Sequence, residues 1–230
     1  MGHGGAGIGE HNVLIVSGLA FNLDTLYMTW LSMAILVLGL LLVRMNWKLI
    51  PGGWQSMVEL VLEGLLTQIE TTIGPNGRKV APLLITLFLF LLIANWLGLV
   101  PGFTSPTNDI NTTLGLALLI VVTVHGYGVR AKGALSHFKH FLEPNIFFLP
   151  INIIEEIAKP VTLSFRLFGN IVAGEILIII LGVLVPYFVP TLWLTFSVFV
   201  GLIQAMIFTM LSMSYLSNSL EQHHIEEKEG

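Results

Sequence analysis

The sequence predicts an all-α membrane protein with five transmembrane helices, one amphipathic helix at the membrane surface, and a long tilted hairpin formed by the last two helices. Of the 230 residues, 54% are hydrophobic and only 10% are charged, whereas a soluble globular domain carries about 25% charged residues. The hydrophobic residues also come in runs that reach the roughly 20 residues needed to cross a bilayer. The whole chain, 1–230, is therefore expected to form a single membrane domain.

The apolar runs set the predicted spans. They cover residues 26–43, 81–100, 114–129, 146–185 and 190–217. Between the first two spans, residues 54–73 mix apolar positions with three glutamates, which is typical of a helix lying at the interface. Turn-forming residues at 101–109 join the second and third spans, and a segment with two prolines at 186–190 separates the last two. Each of the last two runs is longer than a perpendicular crossing needs, which favours tilt.

The distribution of basic residues predicts the orientation. Lys and Arg are concentrated between the first and second spans and after the third span, and none precedes Arg44. None lies in the loop at 101–113 either. By the positive-inside rule, the amino terminus is expected outside and the carboxyl terminus on the cytoplasmic side.

The composition excludes several kinds of site. The chain has no Cys, so disulfides, zinc-thiolate sites and iron–sulfur clusters are excluded. The net charge of −4 leaves no basic surface for nucleic acid, which is not expected as a partner.

Arg166 lies within the predicted fourth span. An Arg near the bilayer centre costs about 2.5 to 3.5 kcal/mol, so such residues normally have a partner or a role on an ion path. Arg166 is therefore interpreted as a fixed cation, the alternative being that it reaches an interface or pairs with Glu155. At about 100° per residue, Asn170 and Ala173 share its face. Small side chains let another helix approach closely, which indicates a contact surface for a partner that brings its own charge.

Further polar residues fall inside or beside the spans. Glu175 follows Arg166 by nine positions, on another face, where it is expected to hold a proton or line a water-filled pocket. The alternative is a glutamate that reaches the far interface. Ser197 and Gln204 share one face of the last span, and a Gln there is also suited to bonding a neighbouring helix. His125 in the third span is either a proton carrier or a packing residue.

A polar entrance is predicted at the ends of the second and third spans. Its candidates are Asn95, Asp109 and Asn111. The alternative for the two loop residues is that they cap a helix.

A continuous motif in the fourth span carries a resemblance to a known family. Residues 159–170 read KPVTLSFRLFGN, and AGE follows at 173–175. These segments closely resemble the SxRLFGN…AGE core of subunit a of the F-type ATP synthase, in its bacterial and chloroplast forms. The resemblance extends to PTNDINTT at 106–113, LPINI at 149–153 and QAMIF at 204–208, and covers the chain from the first span onward.

This resemblance implies a proton-translocating stator subunit with two aqueous half-channels, laid against a ring of c subunits. Arg166 matches the family's essential arginine, which is expected to deprotonate the ring carboxylates, block a proton short circuit and so couple the gradient to rotation. Glu175, Asn170 and Gln204 match positions that line the proton path or support the arginine. At the position where the family often has a His, this chain has Ser197, so water or Ser197 is expected to replace a direct Glu–His relay.

The resemblance also implies no catalytic site of its own and no cofactor. The implied partners are the c ring, the b subunits of the peripheral stalk, the remaining ATP synthase complex and the lipid bilayer. The implied location is a bacterial plasma membrane or a chloroplast thylakoid membrane. The implied ion is H⁺, with Na⁺ as the alternative.

Two other classes of membrane protein are alternatives to this interpretation. A respiratory membrane anchor that holds haem needs at least two membrane histidines, and only His125 lies well inside a predicted span. A secondary transporter would need its own substrate site and usually has broken helices at the bilayer midplane. Neither fits the residues as well.

Overall fold

A computed structural model describes residues 13–16, 19–45, 48, 52–74, 77–100, 102–133, 146–185 and 188–221. These residues form two short strands, β1 (Val13–Val16) and β2 (Leu19–Asn22), and six α-helices. The helices are α1 (Leu23–Met45), α2 (Gly53–Ile73), α3 (Gly77–Leu97), α4 (Ile110–Lys132), α5 (Leu149–Leu184) and α6 (Phe188–Glu221). Single turns of 3₁₀ helix at Pro106–Asn108 and Ile146–Phe148 precede α4 and α5.

Five of these helices, all except α2, are long and apolar enough to cross a membrane. This confirms the predicted helical membrane protein. The position of α2 at the membrane surface and the tilt of the last two helices remain predictions. The predicted turn at 186–190 lies partly outside the described residues, since Pro186 and Tyr187 are not among them.

The antiparallel pair of β1 and β2 is a difference from the all-α prediction. Val13 pairs with Asn22, and Val16 pairs with Leu19. An apolar run of four residues has no period that separates a strand from the start of a helix, so this hairpin was not predictable from the sequence.

Helix ends in the described residues follow ordinary capping chemistry. Gly74 adopts a φ of +76°, and its N–H donates to the carbonyl oxygen of Glu70 at the end of α2. At the start of α4, the Oδ1 atom of Asp109 accepts a hydrogen bond from the backbone N–H of Asn111 at 2.9 Å. A side-chain acceptor there satisfies one of the free N–H groups of the first helical turn.

The longest helix, α5, has 36 residues and contains Pro160. At 1.5 Å per residue its length is about 54 Å, compared with about 30 Å for the hydrocarbon core of a bilayer. Pro160 removes one backbone donor, but the helix continues through it.

The chain divides into two compact units. Unit 1 contains the described residues within 1–45, 89–113 and 166–206, and unit 2 contains those within 46–88, 114–165 and 207–230. In unit 2, side-chain hydroxyls on the last helix bond to backbone carbonyls of other helices. Ser217 Oγ donates to Thr72 O at 2.7 Å, and Ser219 Oγ donates to Val124 O at 3.3 Å.

In unit 1, the chain after α3 folds back tightly on the end of that helix. A Cβ atom at Gly98 would lie 2.6 Å from the Cβ of Ser105, closer than carbon atoms can approach. Ser105 is buried, and its hydroxyl donates to the carbonyl oxygen of Ala94 at 2.9 Å. Gly98 therefore allows the loop to reach the helix end.

We predict that Gly98→Ala lowers the stability of the protein by about 1 to 3 kcal/mol, because the added methyl group overpacks a buried contact. The matched control is Gly115→Ala in α4, where a Cβ meets nothing within 4 Å. That change is expected to leave stability the same or raise it slightly, since Ala favours a helix over Gly. Thermal unfolding of the purified variants in lipid nanodiscs measures both, and equal midpoints for the two variants would contradict the prediction.

Candidate functional site

Unit 1 contains a cavity of about 180 Å³ with a partly polar wall. The wall is formed by the end of α3, the turn that follows it, the second half of α5 and the first half of α6. Its polar side chains are Asn95, Ser105, Asn170, Glu175 and Ser197. Three predicted proton-path residues and Asn95 from the predicted polar entrance are therefore neighbours in one cavity. A cavity of this size and polarity can hold several water molecules.

Glu175 has a hydrogen-bond partner that the sequence analysis did not predict. The Nδ2 atom of Asn108 donates to the Oε2 atom of Glu175 at 2.8 Å. From the sequence, Glu175 was predicted to hold a proton or line a water-filled pocket, with Ser197 or water in place of a direct Glu–His relay. The two residues are 67 positions apart, so no helical or strand period connects them, and the turn residues around Asn108 indicated only a loop.

Asn95 connects three segments of unit 1. Its side chain is 2% exposed, and its Nδ2 atom donates to the carbonyl oxygen of Gly201 at 3.1 Å. Its Oδ1 atom accepts from the hydroxyl of Thr107 at 3.2 Å. Both polar atoms of the amide are therefore bonded, one to α6 and one to the loop before α4.

Close packing of α3 on α6 accompanies these bonds. The indole Nε1 of Trp96 donates to the carbonyl oxygen of Val198 at 3.0 Å. A Cβ atom at Gly201 would lie 3.3 Å from Asn95 Cβ and 3.3 Å from Trp96 Cδ1. The absence of a side chain at Gly201 lets the two helices approach closely.

Asp109 and Asn111 have the geometry of the capping alternative. Asp109 is 6% exposed, and its Oδ1 atom accepts from the backbone and side-chain nitrogens of Asn111 at 2.9 Å each. Its Oδ2 atom accepts from Asn22 Nδ2 and from Thr25 Oγ1. The carboxylate thus joins the start of α4 to the end of β2 and the start of α1. Neither Asp109 nor Asn111 lines the cavity.

Arg166 is exposed and, within the described part of the chain, its side chain makes no hydrogen bond or ion pair. Glu155, its alternative partner, lies 3.8 Å from the Nζ atom of Lys159 instead. Seventeen residues of α5 precede Arg166 and eighteen follow it. The guanidinium group therefore lies at the middle of an apolar helix, without an ion-pair partner among the described residues.

Gln204 also has a polar atom, Nε2, that lacks a hydrogen-bond partner among the described residues. The Gln204 side chain is 6% exposed, and this atom is buried. A buried amide without a partner costs about 1 to 3 kcal/mol. A donor kept at that cost is suited to bonding a group that the isolated chain does not contain.

His125 belongs to a separate cluster in unit 2. Its Nε2 atom lies 3.3 Å from Oε1 of Glu156, and Lys159 Nζ lies 2.8 Å from Oε2 of the same carboxylate. Lys159 also sits 5.8 Å from the centre of the Tyr215 ring. Glu156 was not among the predicted site residues, although its spacing of three from Lys159 on a helix is a recognisable signal.

Known proteins are similar to this chain over most of its length. Residues 26–217 match the family described as ATP synthase A chain. An ATP synthase subunit a from Desulforamulus reducens is 42% identical over 212 residues, which cover 88% of this chain and 81% of that protein. One from Moorella thermoacetica is 38% identical, covering 87% of this chain and 92% of that protein. A chloroplastic subunit a from Stigeoclonium helveticum is 38% identical, covering 94% and 92% respectively.

We predict that Asn95→Leu destabilises the protein by about 1 to 3 kcal/mol, because it removes the hydrogen bonds that join α3 to the Gly201 carbonyl and to the Thr107 hydroxyl. The control is Asn218→Leu, which removes an exposed amide on α6 and is expected to change stability by less than about 0.5 kcal/mol. Thermal unfolding in nanodiscs measures the difference. If Asn95→Leu unfolds at the same temperature as the control, the amide of Asn95 does not hold unit 1 together.

Proposed function

This chain belongs to the ATP synthase A chain family, and from that premise we propose that it is the proton-translocating stator subunit of an F-type ATP synthase. Like the subunits a to which it is similar, it is an integral membrane protein. In this proposal it has no catalytic site of its own and supplies an ion path to the rest of the complex.

The observation that carries the proposal is the charge of Arg166, which has no ion-pair partner in the part of the chain that the structure describes. Inside a bilayer such a charge is expensive and is retained where it acts on a partner or an ion. Glu155, the alternative partner on the same helix, lies within ion-pair distance of Lys159. The partner proposed for Arg166 is therefore a carboxyl group on the ring of c subunits.

The surface around Arg166 supports the approach of such a partner. Ala173 and Gly169 are exposed on α5, and a Cβ atom at Gly169 would meet nothing within 4 Å. Small exposed residues next to a cation leave room for another helix to pass close to it. Gln204, whose Nε2 atom has no hydrogen-bond partner among the described residues, offers a donor for a carboxylate or a water molecule.

The chemistry that follows is an exchange of protons controlled by solvation. A ring carboxyl group that faces lipid holds its proton, because hydrocarbon disfavours the charged form. Close to a guanidinium group the carboxylate is stabilised, so the ring site discharges as it passes Arg166. Arg is suited to this role because it does not give up its own proton in proteins.

The cavity around Glu175 is proposed to be part of one of two half-channels. Glu175 is the residue in it that can take up and release a proton, and Asn170 and Ser197 can hold the water that connects it to the ring. Asp109 and Asn111 are proposed to support this region. His125, beside Glu156 and Lys159, remains a candidate for the proton path in unit 2.

Arg166 is also proposed to prevent a leak between the half-channels. A proton that crosses 100 mV releases about 2.3 kcal/mol, so each proton that bypasses the ring wastes that free energy. A fixed positive charge between the two aqueous paths repels a proton moving directly from one to the other.

The proposed partners are the c ring, the b subunits of the peripheral stalk and the remaining complex. The proposed membrane is a bacterial plasma membrane or a thylakoid membrane, with the amino terminus outside and the carboxyl terminus on the cytoplasmic side. The proposed ion is H⁺, and ATP synthesis that requires Na⁺ would point to Na⁺ instead.

We predict that Arg166→Ala abolishes gradient-driven ATP synthesis in the assembled complex, because the ring carboxyl groups no longer discharge. The matched control is Arg78→Ala, which removes an exposed Arg paired with Glu70 and is expected to leave synthesis unchanged. Synthesis is measured in vesicles that contain the complex. An assembled Arg166→Ala complex that still makes ATP would overturn the proposed mechanism.

We predict that Glu175→Gln slows passive proton flux through the membrane sector about tenfold, which corresponds to about 1.4 kcal/mol in the barrier. The amide fills the same space but cannot carry the proton. Glu63→Gln is the control, because Glu63 is an exposed glutamate on α2, and its flux is expected to match the wild type. Unchanged flux in Glu175→Gln would remove Glu175 from the path.

A further inference from the structure

We propose that Asn108 is a positioning residue for the Glu175 carboxyl group, and that a clamp on Asp109 holds Asn108 in place from the amino-terminal end of the chain. The inference rests on the proposed role of Glu175 as a proton carrier in the cavity. It adds a residue from the loop before α4, and a second group at the junction of β2 and α1, to the residues that govern proton transfer.

The contact itself suits a positioning role. Asn108 donates to Oε2 of Glu175 through an amide nitrogen, at 2.8 Å. An amide NH₂ group is a donor with no acceptor capacity and does not titrate. It can therefore hold the carboxyl oxygen in either protonation state without competing for the proton that Glu175 carries.

Asn108 is held between two buried neighbours. Thr107 on one side is 0% exposed and bonds to Asn95, and Asp109 on the other side is 6% exposed. The backbone N–H of Asn108 also donates to the carbonyl oxygen of Ser105 at 3.0 Å. The main chain that carries the Asn108 amide is thus fixed before the amide meets Glu175.

The anchor on the Asp109 side comes from distant residues. Asn22 and Thr25 both donate to Oδ2 of Asp109, across separations of 87 and 84 positions. Asn22 is the last residue of β2, and Thr25 lies in the first turn of α1. We call these three side chains the Asp109 clamp. Loss of the clamp would free the Asp109 end of the loop, because the hydrogen bond of Asn95 to Thr107 holds only the other end.

A fixed donor matters because a glutamate side chain has several rotatable bonds. Without a partner, the carboxyl group of Glu175 samples positions at different distances from the water in the cavity. Proton transfer needs the donor and acceptor heavy atoms about 2.6 to 3.2 Å apart. A hydrogen bond to one carboxyl oxygen raises the fraction of time that the Glu175 carboxyl group spends at this distance from its proton-transfer partner. Because Asn108 is carried on a fixed main chain, it holds the carboxyl group in the same position each time.

The experiment compares passive proton flux through vesicles containing the assembled membrane sector at pH 8 and pH 6. The variants are N108L, N108D, E175Q and the double variant N108L/E175Q, with T104L as the control. Thr104 is an exposed residue of the same loop, and T104L is expected to retain wild-type flux at both pH values.

Leucine and aspartate at this position give different expected profiles. N108L loses the donor and is expected to show about fivefold lower flux than wild type at both pH values. N108D places a second carboxyl group against Glu175. At pH 8 two like charges repel, and the flux is expected to fall at least as far. At pH 6 the pair shares a proton, the hydrogen bond forms again, and flux is expected to recover to within about twofold of wild type.

The double variant separates positioning from a general structural effect. If Asn108 acts through the Glu175 carboxyl group, N108L/E175Q has the same flux as E175Q, because residues that act as one unit do not add. Additive losses would overturn the proposal, since they would show that Asn108 acts elsewhere. Assembly of each variant is checked by copurification with the other subunits.

The outcomes also distinguish this proposal from the proposed function. If E175Q retains wild-type flux, Glu175 is not a proton carrier and the proposed function fails at that residue. If E175Q slows flux and N108L does not, only the positioning role is wrong. If N108L does not assemble, N108D tests the proposal, because its flux at pH 8 and at pH 6 is measured on the same preparation. A ratio of N108D flux to wild-type flux that is the same at both pH values would overturn the proposal.

The clamp is tested by N22L, which removes one donor to Asp109 and lies outside the cavity. If the clamp acts through Asn108, N22L is expected to lower the flux about twofold relative to wild type. The double variant N22L/N108L is then expected to have the same flux as N108L alone. Wild-type flux in assembled N22L would remove the clamp from the proposal.

Discussion

A bilayer provides no water to the polar groups that it surrounds, so a polar group without a hydrogen-bond partner in the protein is costly there. In unit 1 the amide of Asn95 meets this constraint with both of its polar atoms, by bonding Gly201 on α6 and Thr107 in the loop. The loop that contains Asn108 depends on that arrangement, and so does the wall of the cavity. A hydrophobic core alone does not fix the position of a polar loop beside apolar helices, because lipid is as apolar as the helix surfaces themselves.

The polar residues within and beside the apolar helices of unit 1 fall into two groups. Asn95 and Asp109 have hydrogen bonds on every side-chain oxygen and nitrogen. Arg166 and the Nε2 atom of Gln204 have none within the described residues. The first group stabilises the chain by itself, and the second is suited to a complex in which another subunit or water supplies the missing partner. Burial does not account for this difference, because Gln204 and Asp109 are equally buried.

Much of this organisation was predictable from the sequence, for identifiable reasons. The spans follow from hydrophobic runs, whose length is set by the bilayer, and the family follows from the continuous motif around Arg166. The contact between Asn108 and Glu175 was not predictable, because it joins positions 67 apart and depends on how the loop is folded. Asp109 was ambiguous between a channel entrance and a cap, since the same carboxylate suits both. In the structure its Oδ1 atom accepts from Asn111, as in a cap, and its Oδ2 atom accepts from Asn22 and Thr25, which the sequence did not place near it. The strand pair before α1 was too short to have a recognisable period.

The weak packing of α1 bears on how the chain enters the membrane. Only 11% of the apolar window of α1 is buried against the described residues, whereas half of the corresponding window of α3 is buried. Most of the surface of α1 is therefore left to face lipid or another subunit. A helix with so few intramolecular contacts can partition into the bilayer from the translocon before any later helix has been synthesised. Its placement during translation then depends on its own hydrophobicity, whereas the hydrogen-bond partners of Asn95 on α3 lie in segments that are synthesised after that helix.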